Sequence, residues 1–137
     1  MEFRSPKLAG ILAAALLAAW LAVPAHAQGP SSNQQEQAAP YDDQFVRLSE
    51  LLGAIHYLRN LCGADEDQTW RTRMQELIEA ENPSTLRRAR FVDGFNRGYR
   101  GFQRTHATCT DASRLLADRF VSEGAQLASQ IASRYAN

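Results

Sequence analysis

From Gln28 onward the chain has no lysine, and its positive charge comes from arginine alone. It has two cysteines and two histidines in that stretch, and Pro83 is the one proline after Pro40. Each scarcity excludes something. There is no C-x-x-C-H, so covalent haem attachment is out. There is no Glu-x-x-His, so a ferritin-like carboxylate iron centre is out. The 13 arginines from Gln28 onward face 14 aspartates and glutamates, a net charge near −1, which argues against a general nucleic-acid binder. No β-alternation, Asn-Gly hairpin signal or internal repeat appears. No apolar run long enough to span a bilayer occurs after residue 23.

The first 27 residues have a different character. Arg4 and Lys7 precede an unbroken apolar run, Leu8 to Val23. Pro24 ends it, and Ala25 and Ala27 place small residues where a signal peptidase reads. Residues 1–27 therefore read as a signal peptide cleaved after Ala27, and the chain as exported to the periplasm. Residues 28–40, "QGPSSNQQEQAAP", bury too little apolar area to offset their ordering entropy and read as a disordered tether. Residues 41–137 are left as one small domain.

That domain shows four helical patterns. The first runs from about Asp42 to Leu61, with Phe45, Leu48, Leu52, Ile55 and Cys62 on one face and Gly63 as its C-cap. The second spans about Asp67 to Glu81 around Trp70, Met74, Leu77 and Ile78, with the acids of "ADED" as cap. "NPST" separates it from a third, about Pro83 to Thr105, with Asn82 as cap and Pro83 at the first helical position. Thr110 or Asp111 caps a fourth, Asp111 to Tyr135, with Leu116, Phe120, Gly124, Leu127 and Ile131 on its face. Short connections make successive helices antiparallel, so the expected fold is an all-α, up-down-up-down four-helix bundle. Its topology places the end of the first helix beside the start of the fourth. Cys62 and Cys109 occupy those two places, and an even count in an exported chain reads as a disulfide.

The third helix carries Gly94, Gly98 and Gly101 among Phe91, Phe95 and Phe102. Each interior glycine costs about 1 kcal/mol against alanine, so close approach of another helix is expected to offset it. On the opposite face stand Arg90, Arg97, Arg100 and Arg104, interrupted by Asp93. Guanidinium forks suit carboxylate and phosphate, so this strip is a candidate anion-recognising face, with a plainly solvated face as the alternative. Asp93 with Arg97, and Arg119 with Glu123, have the spacing of ordinary i,i+4 pairs.

The first helix offers a second candidate. Val46, Gly53, Tyr57 and Leu61 lie nearly opposite its core stripe. A second apolar face implies burial on both sides, by the tether, a twin subunit or a partner. The candidate partner surface is thus Val46, Tyr57, Leu61, Arg97, Arg100 and Arg104. His56 reads as an interfacial histidine. With His106, Cys62 and Cys109 it makes a nominal two-Cys, two-His set, but the spacings match no zinc finger and an oxidised pair cannot ligate. No metal, cofactor or catalytic constellation is expected.

His56-Tyr57-Leu58-Arg59, Cys62-Gly63, Trp70, Phe95-Asn96-Arg97-Gly98-Tyr99 and Cys109-Thr110 together carry a resemblance. From about Tyr41 to the C-terminus the chain resembles a family of small secreted proteins of unknown function found in alphaproteobacteria, chiefly of the rhizobial group. The resemblance implies a Gram-negative periplasm and supplies no activity, so no catalytic residue is carried over. The expectation is a non-enzymatic periplasmic protein that binds an envelope protein or a cell-wall component. A small-ligand carrier with a pocket between the first and third helices is the alternative, and an enzyme the third reading.

Overall fold

The computed structural model describes residues 38–64 and 68–135. The expected signal peptide, the expected tether up to residue 37 and the acids Asp65, Glu66 and Asp67 lie outside the described residues. Four helices form: α1 (Asp42–Leu61), α2 (Thr69–Glu81), α3 (Thr85–Thr105) and α4 (Asp111–Tyr135). Asp42 and Asp43 stand in the first turn of α1, where carboxylates suit the helix dipole. Gly63 comes after α1 with a φ of 66°, the left-handed conformation that glycine adopts without strain. The boundary between α2 and α3 differs from the expected one. Asn82 has φ 44° and ψ 52°, so it closes α2 in the left-handed region and does not open α3. Ser84 opens α3 instead, its side chain accepting from the Arg87 N–H, and the helix starts at Thr85. Thr110 caps α4, its Oγ1 accepting from the Ser113 N–H at 3.1 Å.

The four helices run up-down-up-down, and the whole arrangement centres on α1. Eleven of its 20 residues are buried, which is more than one apolar stripe supplies. Phe45, Leu48 and Leu52 meet Met74 and Ile78 from α2 and Phe91 and Phe95 from α3 in one core cluster. Leu127 and Ile131 of α4 pack against its edge. Among the described residues α4 has close backbone contact with α1 alone. That explains why Leu116, Phe120, Leu127 and Ile131 are only half-buried, while Ser113, Ala117 and Gly124 are buried against α1. Phe102 is likewise half-buried, and its ring meets that of Phe120 edge to face at 5.3 Å.

The second apolar face of α1 is covered from within the chain. A tether, twin or partner is not needed to account for it. α1 and α3 run parallel, and in this bundle they are pressed together. A Cβ at Gly98 would stand 2.0 Å from the carbonyl oxygen of Glu50, and a Cβ at Gly53 would stand 2.0 Å from that of Phe95. At Gly94 it would stand 3.1 Å from the Val46 carbonyl oxygen. No real Cβ tolerates the first two distances, so backbone approaches backbone only because both helices lack a side chain there. This reciprocal seam is what offsets the helix-propensity cost of the glycines. Gly101 does not take part: a Cβ there would meet nothing within 4 Å. Gly53, read from the sequence as part of a surplus face, supplies the other half of the contact.

A Cys62–Cys109 disulfide joins the end of α1 to the turn before α4, with 4.9 Å between the Cα atoms and a sequence separation of 47. On the chain-entropy estimate a loop of that length contributes about 4 kcal/mol. That is a large share of the stability of so small a domain.

Denaturant melts should tell the glycines apart. Gly98→Ala and Gly53→Ala should each lower stability by about 1–3 kcal/mol, because the helices must separate to admit a methyl group. Gly101→Ala should be neutral or stabilising by up to about 1 kcal/mol, because only helix propensity changes. Equal effects at all three positions would refute the seam. Cys62→Ser with Cys109→Ser should cost about 4 kcal/mol in the same assay, and an unchanged midpoint would show that helix packing alone holds this end.

Candidate binding face on the third helix

Packing determines which side of α3 is offered to solvent. Phe91, Gly94 and Phe95 are buried, so Arg90, Asp93, Arg97, Arg100 and Arg104 face outward. The seam also decides their partners. Because Gly98 lies on the Glu50 backbone, Arg97 next to it reaches the Glu50 carboxylate, with Nε at 3.1 Å and Nη2 at 2.9 Å from Oε1. The i,i+4 pairing of Arg97 with Asp93 expected from spacing is replaced by this bridge between helices. The same happens on α4: Glu123 is taken by Arg47 of α1 at 2.6 Å, and not by Arg119. Arg90 stands 3.7 Å from Asp42 and from Asp43. Arg100 and Arg104 are exposed, and among the described residues neither makes a hydrogen bond or an ion pair. Asp93, Asn96, Arg97, Arg100 and Arg104 line an open groove of about 450 Å³. The groove offers guanidinium donors at one end and a carboxylate acceptor at the other.

Another arginine behaves quite differently. Arg87 sits in the first turn of α3, where the helix dipole disfavours a cation. Its Nε lies 3.1 Å from both oxygens of Asp42, and its Nη2 lies 2.6 Å from Asp42 Oδ1 and 2.6 Å from Glu81 Oε1. Tyr41 completes the cluster by donating its hydroxyl to Glu81 Oε1 at 2.9 Å. The Asp42 side chain is 3% exposed, so this is a buried salt bridge. The hydrogen bonds to Asp42 hold Arg87 above the usual arginine range, against the opposing effect of burial. Burial, reinforced by the hydrogen bond to Glu81, pushes the Tyr41 phenol up. The guanidinium also lies 5.4 Å from the centre of the Phe91 ring. The cluster ties the start of α1, the end of α2 and the start of α3 together. Sequence reading missed it. The available signal was a cation in the first turn of a helix with no acid beside it.

The other sequence-derived surface residues are engaged inside the fold. Val46 packs on the core beside Gly94. Tyr57 donates its hydroxyl to the His106 carbonyl and sets its ring edge to face on Tyr99, 5.4 Å between centroids. It thereby pins the turn that leads to Cys109. Leu61 is half-buried at the end of α1. None of the three lines the groove at Arg97, Arg100 and Arg104, so the structure does not bring the two halves of the expected surface together. His56 is 3% exposed, with its ring 5.8 Å from Phe95 and 5.6 Å from Tyr99. The α1–α3 seam is closed by backbone contact at Gly53 and Gly98, but α1 and α3 line a groove to one side of it through Glu50, Leu51, Ala54, Arg97, Gly98 and Phe102. That groove of about 260 Å³ also touches Arg47 and Phe120, and an apolar one of about 310 Å³ is floored by Phe45 and Leu48 between α2 and α4.

Among the described residues no group of three or more His, Cys, Asp or Glu is placed to hold a metal ion, and no helix is long and apolar enough to cross a membrane.

The molecule is an all-α, disulfide-linked four-helix bundle whose outer α3 face carries guanidinium groups without acidic partners among the described residues. Residues 40–135 match the family described as "Protein of unknown function (DUF2385)", and the chain belongs to that family. No curated protein and no solved structure matches it.

The two kinds of arginine should separate in a melt. Arg87→Ala leaves the buried Asp42 and the half-buried Glu81 without their cation and should cost about 3–5 kcal/mol. Arg100→Ala with Arg104→Ala should change stability by no more than about 0.5 kcal/mol. A large loss in the second variant would make those residues structural and end their candidacy as a binding face.

Proposed function

We propose that this is an exported, non-enzymatic periplasmic protein that binds an acidic envelope protein or an anionic cell-wall component through the outer face of α3. One observation carries the reading. Arg100 and Arg104 are exposed beside a groove and lack the acidic partners that Arg47, Arg59, Arg87 and Arg97 have. Arginine rather than lysine at these positions favours planar, two-pronged recognition of carboxylate or phosphate. Support for export comes from the basic start, apolar run and small-residue site of residues 1–27, and from the disulfide, which belongs in an oxidising compartment. Support for a non-enzymatic role comes from the use of the ion-pair cluster as a tie between helices: Arg87 bridges Asp42 of α1 and Glu81 of α2, which gives these groups a structural task. The apolar groove between α2 and α4 favours a small-ligand carrier as the second reading.

The test is fractionation and capture. Tagged protein should be recovered from the periplasmic fraction beginning at Gln28, with Cys62 and Cys109 blocked to alkylation. Crosslinked partner capture should fall in the Arg100→Ala, Arg104→Ala double variant, and should fall for wild type as salt rises, because exposed charges are screened beyond about 10 Å at 0.1 M. Undiminished capture by a folded double variant would refute the α3 face, and apolar ligand displaced from the α2–α4 groove would favour the carrier.

A further inference from the structure

The outer face of α3 has a register as well as a charge. Leu86, Arg90, Asp93, Arg97, Arg100 and Arg104 succeed one another at steps of four, three, four, three and four residues. That is the a/d spacing of a heptad, and it places all six on a single seam about 27 Å long. All six are exposed, and Leu86 at its start is one of the few large apolar side chains left in solvent, 62% exposed. From this seam we propose that the occupant of the α3 face is an acidic α-helix of another protein, laid along α3 in coiled-coil fashion. The inference rests on reading that face as a binding site.

The order of side chains selects this occupant. Along the seam it reads apolar, positive, negative, positive, positive, positive. Only a partner with side chains at matching intervals can set an acid against each of Arg97, Arg100 and Arg104 while presenting a neutral or basic group to Asp93 and an apolar one to Leu86. A second α-helix has those intervals by construction. A uniform polyanion or an anionic lipid surface meets Asp93 as repulsion. The net charge near −1 from Gln28 onward also supplies no long-range attraction to such a surface. A second copy of this chain is disfavoured as well, because two strips that each carry four arginines and one aspartate would then meet, positive against positive overall. The anchoring of Arg97 by Glu50 and of Arg90 near Asp42 and Asp43 restrains two of the arginines before a partner arrives. Arg100 and Arg104 carry the charge left to be neutralised, and they lie toward the C-terminal end of α3, where the helix dipole favours cations.

The experiment uses the full domain and two stapled helical peptides of identical composition. One bears Glu opposite Arg97, Arg100 and Arg104, Lys opposite Asp93 and Leu opposite Leu86. The other has the same residues dispersed around the helix. Fluorescence anisotropy should show the striped peptide binding about tenfold tighter or better, the yield of a few exposed ion pairs acting together. Arg100→Glu with Arg104→Glu should abolish that preference, and a striped peptide with Lys at the facing positions should bind this variant instead. Equal binding of both peptides overturns the helical register and leaves only unspecific charge. Binding to phosphatidylglycerol vesicles without binding to the striped peptide overturns it in favour of a lipid surface. If neither peptide binds while periplasmic capture still depends on Arg100 and Arg104, the helix inference falls and the binding-face reading stands; if that dependence is also absent, both fall.

Discussion

The contact on which this structure depends is the meeting of two backbones. Gly53 on α1 and Gly98 on α3 each lie against a carbonyl oxygen of the other helix, at a separation that admits no methyl group. Helices kept apart by side chains pack about 8–10 Å between axes, and removing the side chains at the crossing lets them come closer. The parallel first and third helices thus form the tightest pair. The consequences spread outward. Glu50 comes within reach of Arg97, and the rings of His56 and Tyr57 meet Tyr99. α4 is left on one flank of α1, with several of its apolar residues only half covered.

Around that seam the arginines serve as struts. Arg47 and Arg59 bridge α1 to α4, Arg97 bridges α3 to α1, and Arg87 binds acids from α1 and α2 at once. The exposed bridges are screened by water and contribute little each. Arg87 is of another kind: its partner Asp42 is buried, so removing either side strands a charge. At the other end of the bundle, covalent and polar links do the corresponding work. The disulfide closes α1 onto the start of α4, and the Tyr57 hydroxyl holds the turn between them. Both ends of α1 are thereby fastened, and the outer side of α3 is left as the charged face without such a task at Arg100 and Arg104.

Much of the architecture was legible because it depends on local rules. Periodicity located the four helices, with α1 and α4 at the observed bounds and α3 beginning two residues later than expected. That difference came from treating Asn82 as the cap of α3, whereas an asparagine in the left-handed region closes α2. Cys62 and Cys109 were paired from their even count in an exported chain and from bundle topology. The candidate face was half legible. The arginine stripe came from 3.6-residue periodicity, whereas Val46, Tyr57 and Leu61 were assigned to a partner because one helix with two apolar faces looks unfinished when seen by itself.

Side-chain order along the chain was therefore enough to specify the helices, their directions, the cysteine pairing and the sign of charge on the outer side of α3. Periodicity within one segment gives the first and last of these, and loops too short to allow another topology give the rest. Packing established that Gly53 and Gly98 are reciprocal and that Gly101 is not part of the seam. It also established that Glu50 and not Asp93 answers Arg97, and that Arg87 is half-buried between two acids while Arg100 and Arg104 are exposed. The contacts of Arg97 with Glu50 and of Arg87 with Asp42 join residues 47 and 45 positions apart. Their distance is set by how closely two helices pack, which no periodicity within either helix encodes.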